Sequence, residues 1–360
     1  MIHLLKEIMS NQSKARFTST ANLPPIALGT AALGERTTDA VCNALQNGYT
    51  LLDCALLYEN QEDVAKGIQL SGIPRENFKI STKVGFFPPD SEGVWMYNPN
   101  NIKGQETDSI DLCLNQLNVK YVDLLLLHNP LVSVPEYNAA SCPFHFEFAN
   151  TTGMPTAITP EKLPGGEEIR PLILDSLVRK AKKEGISKQQ ALERRKKSWS
   201  LLEKAFTEGK AKMIGVSNFP AELLDEMKGY AKIMPSVNQV EFHPRYWSPS
   251  IYSKCRELGI TIMSYGILNS RKVGNKKVND AILEISSRIG QTPVETLIRW
   301  TVQKGVVAIL RSGTKENQTA NLAATEADDL SDEDMKRIDL LEENYPYYFI
   351  QQPTLDTIEQ

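Results

Sequence analysis

The sequence predicts a single α/β domain folded as a (β/α)8 barrel of the TIM type, with one long inserted loop-plus-helix segment. Three observations predict it. Short runs rich in Val, Ile, Leu and Thr recur along the chain, separated mostly by longer amphipathic stretches. Strands alternating with helices imply parallel pairing, because each parallel crossover needs about a dozen residues and a helix usually supplies them. Eight such units in one chain favour a closed barrel over an open doubly wound sheet. The open alternative would want G-x-G-x-x-G directly after its first strand, whereas residues 29–34 read GTAALG, with the wrong glycine spacing.

Taken in order, residues 1–20 are expected to be a flexible N-terminal extension. Lys6, Lys14 and Arg16 stand there against Glu7, and without a cleavage-site pattern a transit peptide is the weaker reading. The barrel is expected over residues 21–344, with strands near 26–29, 50–53, 78–82, 122–127, 213–216, 236–239, 261–264 and 306–310. Helical periodicity is clearest at 40–47, 109–118 and 281–289. The rhythm breaks at about 131–198, where the gap between the fourth and fifth strands is far longer than its neighbours. The first part carries Pro135, Pro143, Pro155, Pro160, Pro164 and the pair Gly165–Gly166, and reads as loop. It follows a strand's C-terminal end, so it is expected to cover the substrate pocket. The second part, residues 172–197, reads as a basic helix with Arg179, Lys180, Lys182, Lys183, Arg194, Arg195, Lys196 and Lys197 on a solvated face. Towards the C-terminus a helix is expected to begin at Ser331, with Asp334 three residues later as an imperfect capping partner. The tail at 345–360, rich in aromatics, is placed near the active-site face.

Composition narrows the function classes. A hydrophobic fraction of 41% and a charged fraction of 23% suit a globular chain with a sizeable core. A net charge of −4 gives no reason to expect a nucleic-acid partner. No apolar run approaches the roughly 18 residues needed to cross a membrane. The 5 cysteines are scattered without a C-x-x-C pair, so neither a disulfide framework nor a metal site is expected, and a reducing, cytoplasmic setting follows. Monomer and dimer both stay open.

The chemistry-bearing residues cluster at strand ends. Asp53 ends the second strand in LLDCALLY, Lys83 the third in KISTKVG, and His128 follows the leucines of the fourth in LLLLHNP. In a barrel of this kind, ionisable residues at the C-terminal rim read as catalytic. Tyr58, five residues after Asp53, can reach back over the same rim. Any one of these alone is as readily an ion pair or a packing residue; together they make chemical sense for carbonyl reduction. A phenol with a pKa near 10 is a poor acid unless its anion is stabilised. A nearby ammonium lowers that pKa, and a carboxylate keeps the ammonium charged. An imidazole then orients the substrate oxygen, while hydride must come from a cofactor. His3, His145 and His243 lack comparable contexts and read as structural.

DCALLYENQEDVAKGI resembles the signature of the aldo-keto reductases, in which an Asp and a Tyr five residues later open the motif. STKVG, LLLLHNP, KMIGVSNF and PSVNQVEFHP resemble further blocks of that family, in the same order, over about residues 23–344. The resemblance implies a TIM-type barrel that binds NADPH, with NADH as the alternative, and reduces a small-molecule aldehyde or ketone. It implies Tyr58, Lys83, Asp53 and His128 as catalytic tetrad, with Tyr58 the general acid. It implies Thr30, Asp53, Ser217, Asn218 and Gln239 as cofactor contacts, and Tyr265 as the ring stacked on the nicotinamide. At the phosphate end it implies Arg311, Ser312 and Thr314, with Asn321 as an adenine contact. Asn317 stands where the family usually carries arginine and Ala320 where it carries glutamate, so NADPH preference is expected to be weakened. Ala31 and Asn129 replace bulkier groups in the substrate pocket, where Tyr345 and Tyr347 of the tail also belong; Gln61 replaces an expected Glu. The competing readings are a non-catalytic, cofactor-binding regulatory subunit of the same fold and a specialised-pathway reductase for an unusual substrate. A metal-dependent barrel hydrolase would want an H-x-H after the first strand, which GTAALG lacks.

Overall fold

The computed structural model describes residues 20–85, 109–130, 188–268 and 276–344. They form a closed barrel of parallel strands in sequential order. In chain order these are β1 (Ile26–Gly29), α1 (Thr37–Gln46), β2 (Leu51–Asp53), α2 (Gln61–Ser71), β3 (Lys79–Val84), α3 (Ser109–Gln116), β4 (Leu124–Leu127) and α4 (Lys188–Thr207). There follow β5 (Ile214–Ser217), α5 (Ala221–Met227), β6 (Val237–Glu241), α6 (Pro249–Glu257), β7 (Thr261–Tyr265), α7 (Lys276–Ile289), α8 (Pro293–Gln303) and β8 (Val307–Leu310). After the barrel closes come α9 (Lys315–Ala324), α10 (Asp332–Asp339) and α11 (Leu341–Asn344).

All eight expected strands are present, with ends that coincide or are displaced by at most two residues. β3 runs on through Lys83 to Val84, and β5, β6 and β7 run on to Ser217, Glu241 and Tyr265, because ladder pairing is a backbone property that continues through polar side chains. Val122, expected inside the fourth strand, makes only an isolated bridge to Ala211.

Alternation along the strands sorts side chains into two layers. Ala27, Leu51, Leu124, Leu126, Val237, Met263, Val307 and Ile309 fill the barrel interior with Leu23. Their neighbours Leu28, Leu52, Ile80, Leu125, Ile214, Val216, Ile262 and Leu310 point outward into the larger core beneath the helices. Counting by twos from the interior set reaches Asp53, His128, Gln239, Tyr265 and Arg311, and the register adds Lys83 beside Leu126 and Ser217 beside Gln239. One parity rule therefore aims seven candidate site residues inward at the same end of the barrel. Gly215 shows how full the interior is: a Cβ there would lie 2.7 Å from Leu126 Cδ2 and 2.7 Å from the Val237 carbonyl.

Two expectations about the long insertion change. α4 passes without a break through residue 198, so the expected boundary there falls inside a helix; residues 131–187 lie outside the described residues. Nor is its basic face uniformly solvated. Arg195 is buried, donating from Nε to Glu226 Oε1 at 2.8 Å and from Nη2 to Glu226 Oε2 at 2.5 Å. The helical period explains it, because Arg195 shares the inward face with Trp199 and Leu202. Ser331 caps α10 by accepting from Asp334 N at 3.1 Å, but the Asp334 carboxylate accepts from Ser331 Oγ at 2.7 Å rather than from the cap backbone. Among the described residues, no helix is long and apolar enough to cross a membrane.

Candidate active site

Lys83 is the hub of the barrel mouth. Its buried ammonium donates to Asp53 Oδ2 at 2.8 Å, to the Cys54 carbonyl at 2.8 Å and to the Tyr58 hydroxyl at 3.2 Å. An ammonium has three protons, so all three are used. The other Asp53 oxygen accepts from Gln239 Nε2 at 2.8 Å, which leaves neither carboxylate oxygen without a donor. The Thr30 backbone N–H and hydroxyl both donate to the Asp53 carbonyl, each at 3.0 Å, tying the ends of β1 and β2 together.

Tyr58 stands on a 3-10 turn, Leu56–Tyr58, which Glu59 ends in the left-handed region at φ 54°. Asn60 then anchors the loop by donating to the Thr30 carbonyl at 2.8 Å, a supporting role that sequence reasoning missed. The Tyr58 ring meets the His128 imidazole edge-on, with centroids 6.0 Å apart at 84°. His128 and Tyr58 are half-buried, while Asp53 and Lys83 beneath them are buried.

The electrostatics follow from burial set against charge. Burial raises the Tyr58 pKa above its ordinary 10.0, and the Lys83 cation offsets only part of that. This corrects the expectation that the ammonium brings the phenol below its ordinary value. Lys83 is pulled down by burial but pushed up further by Asp53 and Tyr58, so it stays charged. Burial, with Lys83 adding to it, holds the His128 imidazole well below 6.5 and hence neutral at pH 7. The thiols of Cys54, Cys113 and Cys255 are pushed up to about 12, chiefly by burial, which makes each a poor nucleophile.

Across the mouth, Ser217 Oγ donates to the Gln239 carbonyl at 2.8 Å. Asn218 is left-handed at φ 63°, a conformation that asparagine tolerates. Its Nδ2 donates to the His128 carbonyl at 3.0 Å and its Oδ1 accepts from the Tyr265 hydroxyl at 2.7 Å. Burial, with Glu241 nearby, holds the Tyr265 phenol well above its ordinary value, so it remains a donor. Two carboxamides, a hydroxyl and an aromatic ring at one rim match the donors, acceptors and flat face of a nicotinamide.

The expected phosphate residues follow β8. Arg311 Nη1 donates to the Ala32 carbonyl at 3.2 Å. Thr314 caps α9 by accepting from Asn317 N, and Ser312 is buried beside it, with Gln318 Nε2 donating to the Ser312 carbonyl at 3.0 Å. Asn321 is buried one helical turn further on, beside the Tyr49 hydroxyl. Arg36, over this same turn, carried no sequence signal because a lone arginine in the β1 loop has no spacing that points to the β8 loop. Ala31 is half-buried and Asn129 buried in the loops after β1 and β4. Gln61 is buried off the site, accepting from Thr82 Oγ1 at 2.6 Å and donating to Gln116 Oε1 at 2.9 Å. That double role needs an amide; a carboxylate could not donate. His243 is packed against Glu241, with Nε2 at 3.1 Å from Oε1. Tyr345, Tyr347, His3 and His145 lie outside the described residues.

Comparison with known proteins identifies the family and the fold. The family model described as "Aldo/keto reductase family" matches residues 25–343. A D-galacturonate reductase from Hypocrea jecorina is 32% identical over 321 residues, covering 87% of this chain and 85% of that protein. A glyoxal reductase from Bacillus subtilis is 29% identical, covering 86% and 84%. Among solved structures, an aldose reductase from Giardia lamblia is similar with a TM-score of 0.63 at 26% identity, covering 91% of this chain and 95% of that one. A Bombyx mori aldo-keto reductase in complex with NADP shares the fold, with a TM-score of 0.63 at 21% identity, covering 91% and 92%.

Proposed function

This chain belongs to the aldo/keto reductase family of NAD(P)H-dependent enzymes, and from that premise we propose that it reduces a small aldehyde or ketone to the alcohol with NADPH, Tyr58 acting as general acid. The observation that carries the reading is the saturated Lys83 ammonium, which touches Asp53 and Tyr58 together. A bound NADPH supplies the hydride. The chain's own residues manage the proton and the geometry.

Tyr58, with its raised pKa, is fully protonated at neutral pH and so holds the proton the alkoxide needs. As that proton leaves, Lys83 faces the growing charge on the phenolate oxygen and stabilises it. Asp53 keeps Lys83 charged and fixed in place. Neutral His128 offers a hydrogen bond to orient the carbonyl oxygen without competing as an acid. Ser217, Asn218 and Gln239 are suited to hold the carboxamide, and the Tyr265 face to cover the nicotinamide ring. The substrate class extends the relatives' named activities, so a panel of aldehydes, ketones, sugars and uronates is the starting point.

Tyr58→Phe tests the reading. It should lower kcat by about 10²- to 10⁴-fold, the range for loss of a general acid, while NADPH affinity measured by fluorescence titration stays the same. A Phe variant that turns over a generic aldehyde at the native rate would sink it.

A further inference from the structure

Two loops at the barrel mouth clasp each other through arginines. Arg311, just after β8, reaches to the carbonyl of Ala32 in the β1 loop at 3.2 Å. Arg36, ending the 3-10 turn Gly34–Arg36 of that same loop, reaches back over the β8 loop. A Cβ built on Gly313 would lie 2.9 Å from Arg36 Nη1 and 3.2 Å from its Cζ, so the bare backbone at Gly313 is what lets the guanidinium rest there. Gly313 immediately precedes Thr314, the cap of α9. Among the described residues, no carboxylate forms an ion pair with either arginine, although Glu35 and Glu316 are exposed nearby in sequence. Two like charges held in one clasp without a counter-charge repel, and a dianion between them removes that cost.

We infer that Arg36 and Arg311 together grip the phosphate monoester on the adenosine ribose of NADPH, Arg36 supplying the cation that is missing at Asn317. Asn317 lies on the first turn of α9, where its backbone N–H is taken by Thr314. Arg36 arrives over the same turn from a different loop. Burial, with the nearby Arg36 cation adding to it, depresses the Arg311 pKa. The assignment rests on the NADPH reading above and makes Arg36 a determinant of cofactor choice.

Calorimetric titration of the full chain with adenosine 2′,5′-bisphosphate, 5′-AMP, NADP+ and NAD+ tests it without turnover. Arg36→Gln should weaken the two 2′-phosphorylated ligands by about tenfold to a hundredfold, the worth of one charge-assisted hydrogen bond, and the other two by less than about twofold. The salt dependence of bisphosphate binding should become shallower. Gly313→Ala, which pushes the Arg36 guanidinium off the turn, should act in the same direction, and Asn317→Arg should restore affinity to the Gln variant. Equal weakening of all four ligands, or unchanged NADP+ affinity in Arg36→Gln, overturns the assignment while leaving the reductase reading intact. A native chain that binds neither dinucleotide overturns both.

Discussion

Replacing Lys83 with Met removes the charge at the centre of the site while keeping most of its volume. The native ammonium spends its three protons on Asp53, Cys54 and Tyr58, and Met satisfies none of them. Asp53, buried to the same degree, then keeps only the Gln239 amide on its other oxygen. Removing one partner of a buried ion pair costs about 3–5 kcal/mol, because a buried charge is left without its counter-charge. With an unfolding entropy of about 2.1 cal/mol/K per residue, a chain of 360 residues should lose about 4–7 °C in Tm. Adding Asp53→Asn removes the stranded charge. The double variant should therefore be about 2 kcal/mol more stable than the sum of the two single losses predicts. Calorimetric melts of the four proteins read this directly. Turnover of a generic aldehyde should fall at least about a hundredfold in both Lys83→Met proteins, since Tyr58 loses its cation. Penalties that add within about 0.5 kcal/mol would refute the coupled pair. Native turnover in Lys83→Met would refute the role given to the ammonium.

Two further outcomes follow from burial. The His128 pKa is depressed in the folded state below its ordinary 6.5, so the unfolded chain binds the extra proton first as pH falls. Stability should be constant above about pH 6.5 and decline below it by up to about 1.4 kcal/mol per pH unit from this group; His128→Gln should flatten that decline in Tm measured against pH. Arg195→Ala leaves Glu226 without its bidentate partner. The Glu226 side chain is 21% exposed and so partly solvated, so the expected loss is about 2 kcal/mol, below the fully buried case, read from denaturant melts.

What the sequence determined by itself was the element pattern and, through it, the facing of the site. Period-two alternation marks the strands, and the same alternation assigns Asp53, Lys83, His128, Ser217, Gln239, Tyr265 and Arg311 to one interior surface, because side-chain direction in a strand is a local property. Polar residues that continued a ladder, as at Glu241 and Tyr265, blurred the strand ends, since pairing depends on a neighbouring backbone that a linear pattern does not contain. The tertiary structure alone decided the rest. The direction of the Tyr58 pKa depended on how deeply the ring is buried relative to its distance from Lys83. Arg195 left the solvated face because α4 lies against Glu226 of α5. Arg36 came to Gly313 because the barrel closes β1 against β8, bringing together loops that stand 277 positions apart in the chain, between residues 36 and 313. Local periodicity specifies which way a side chain points; only the closed barrel specifies what it meets there.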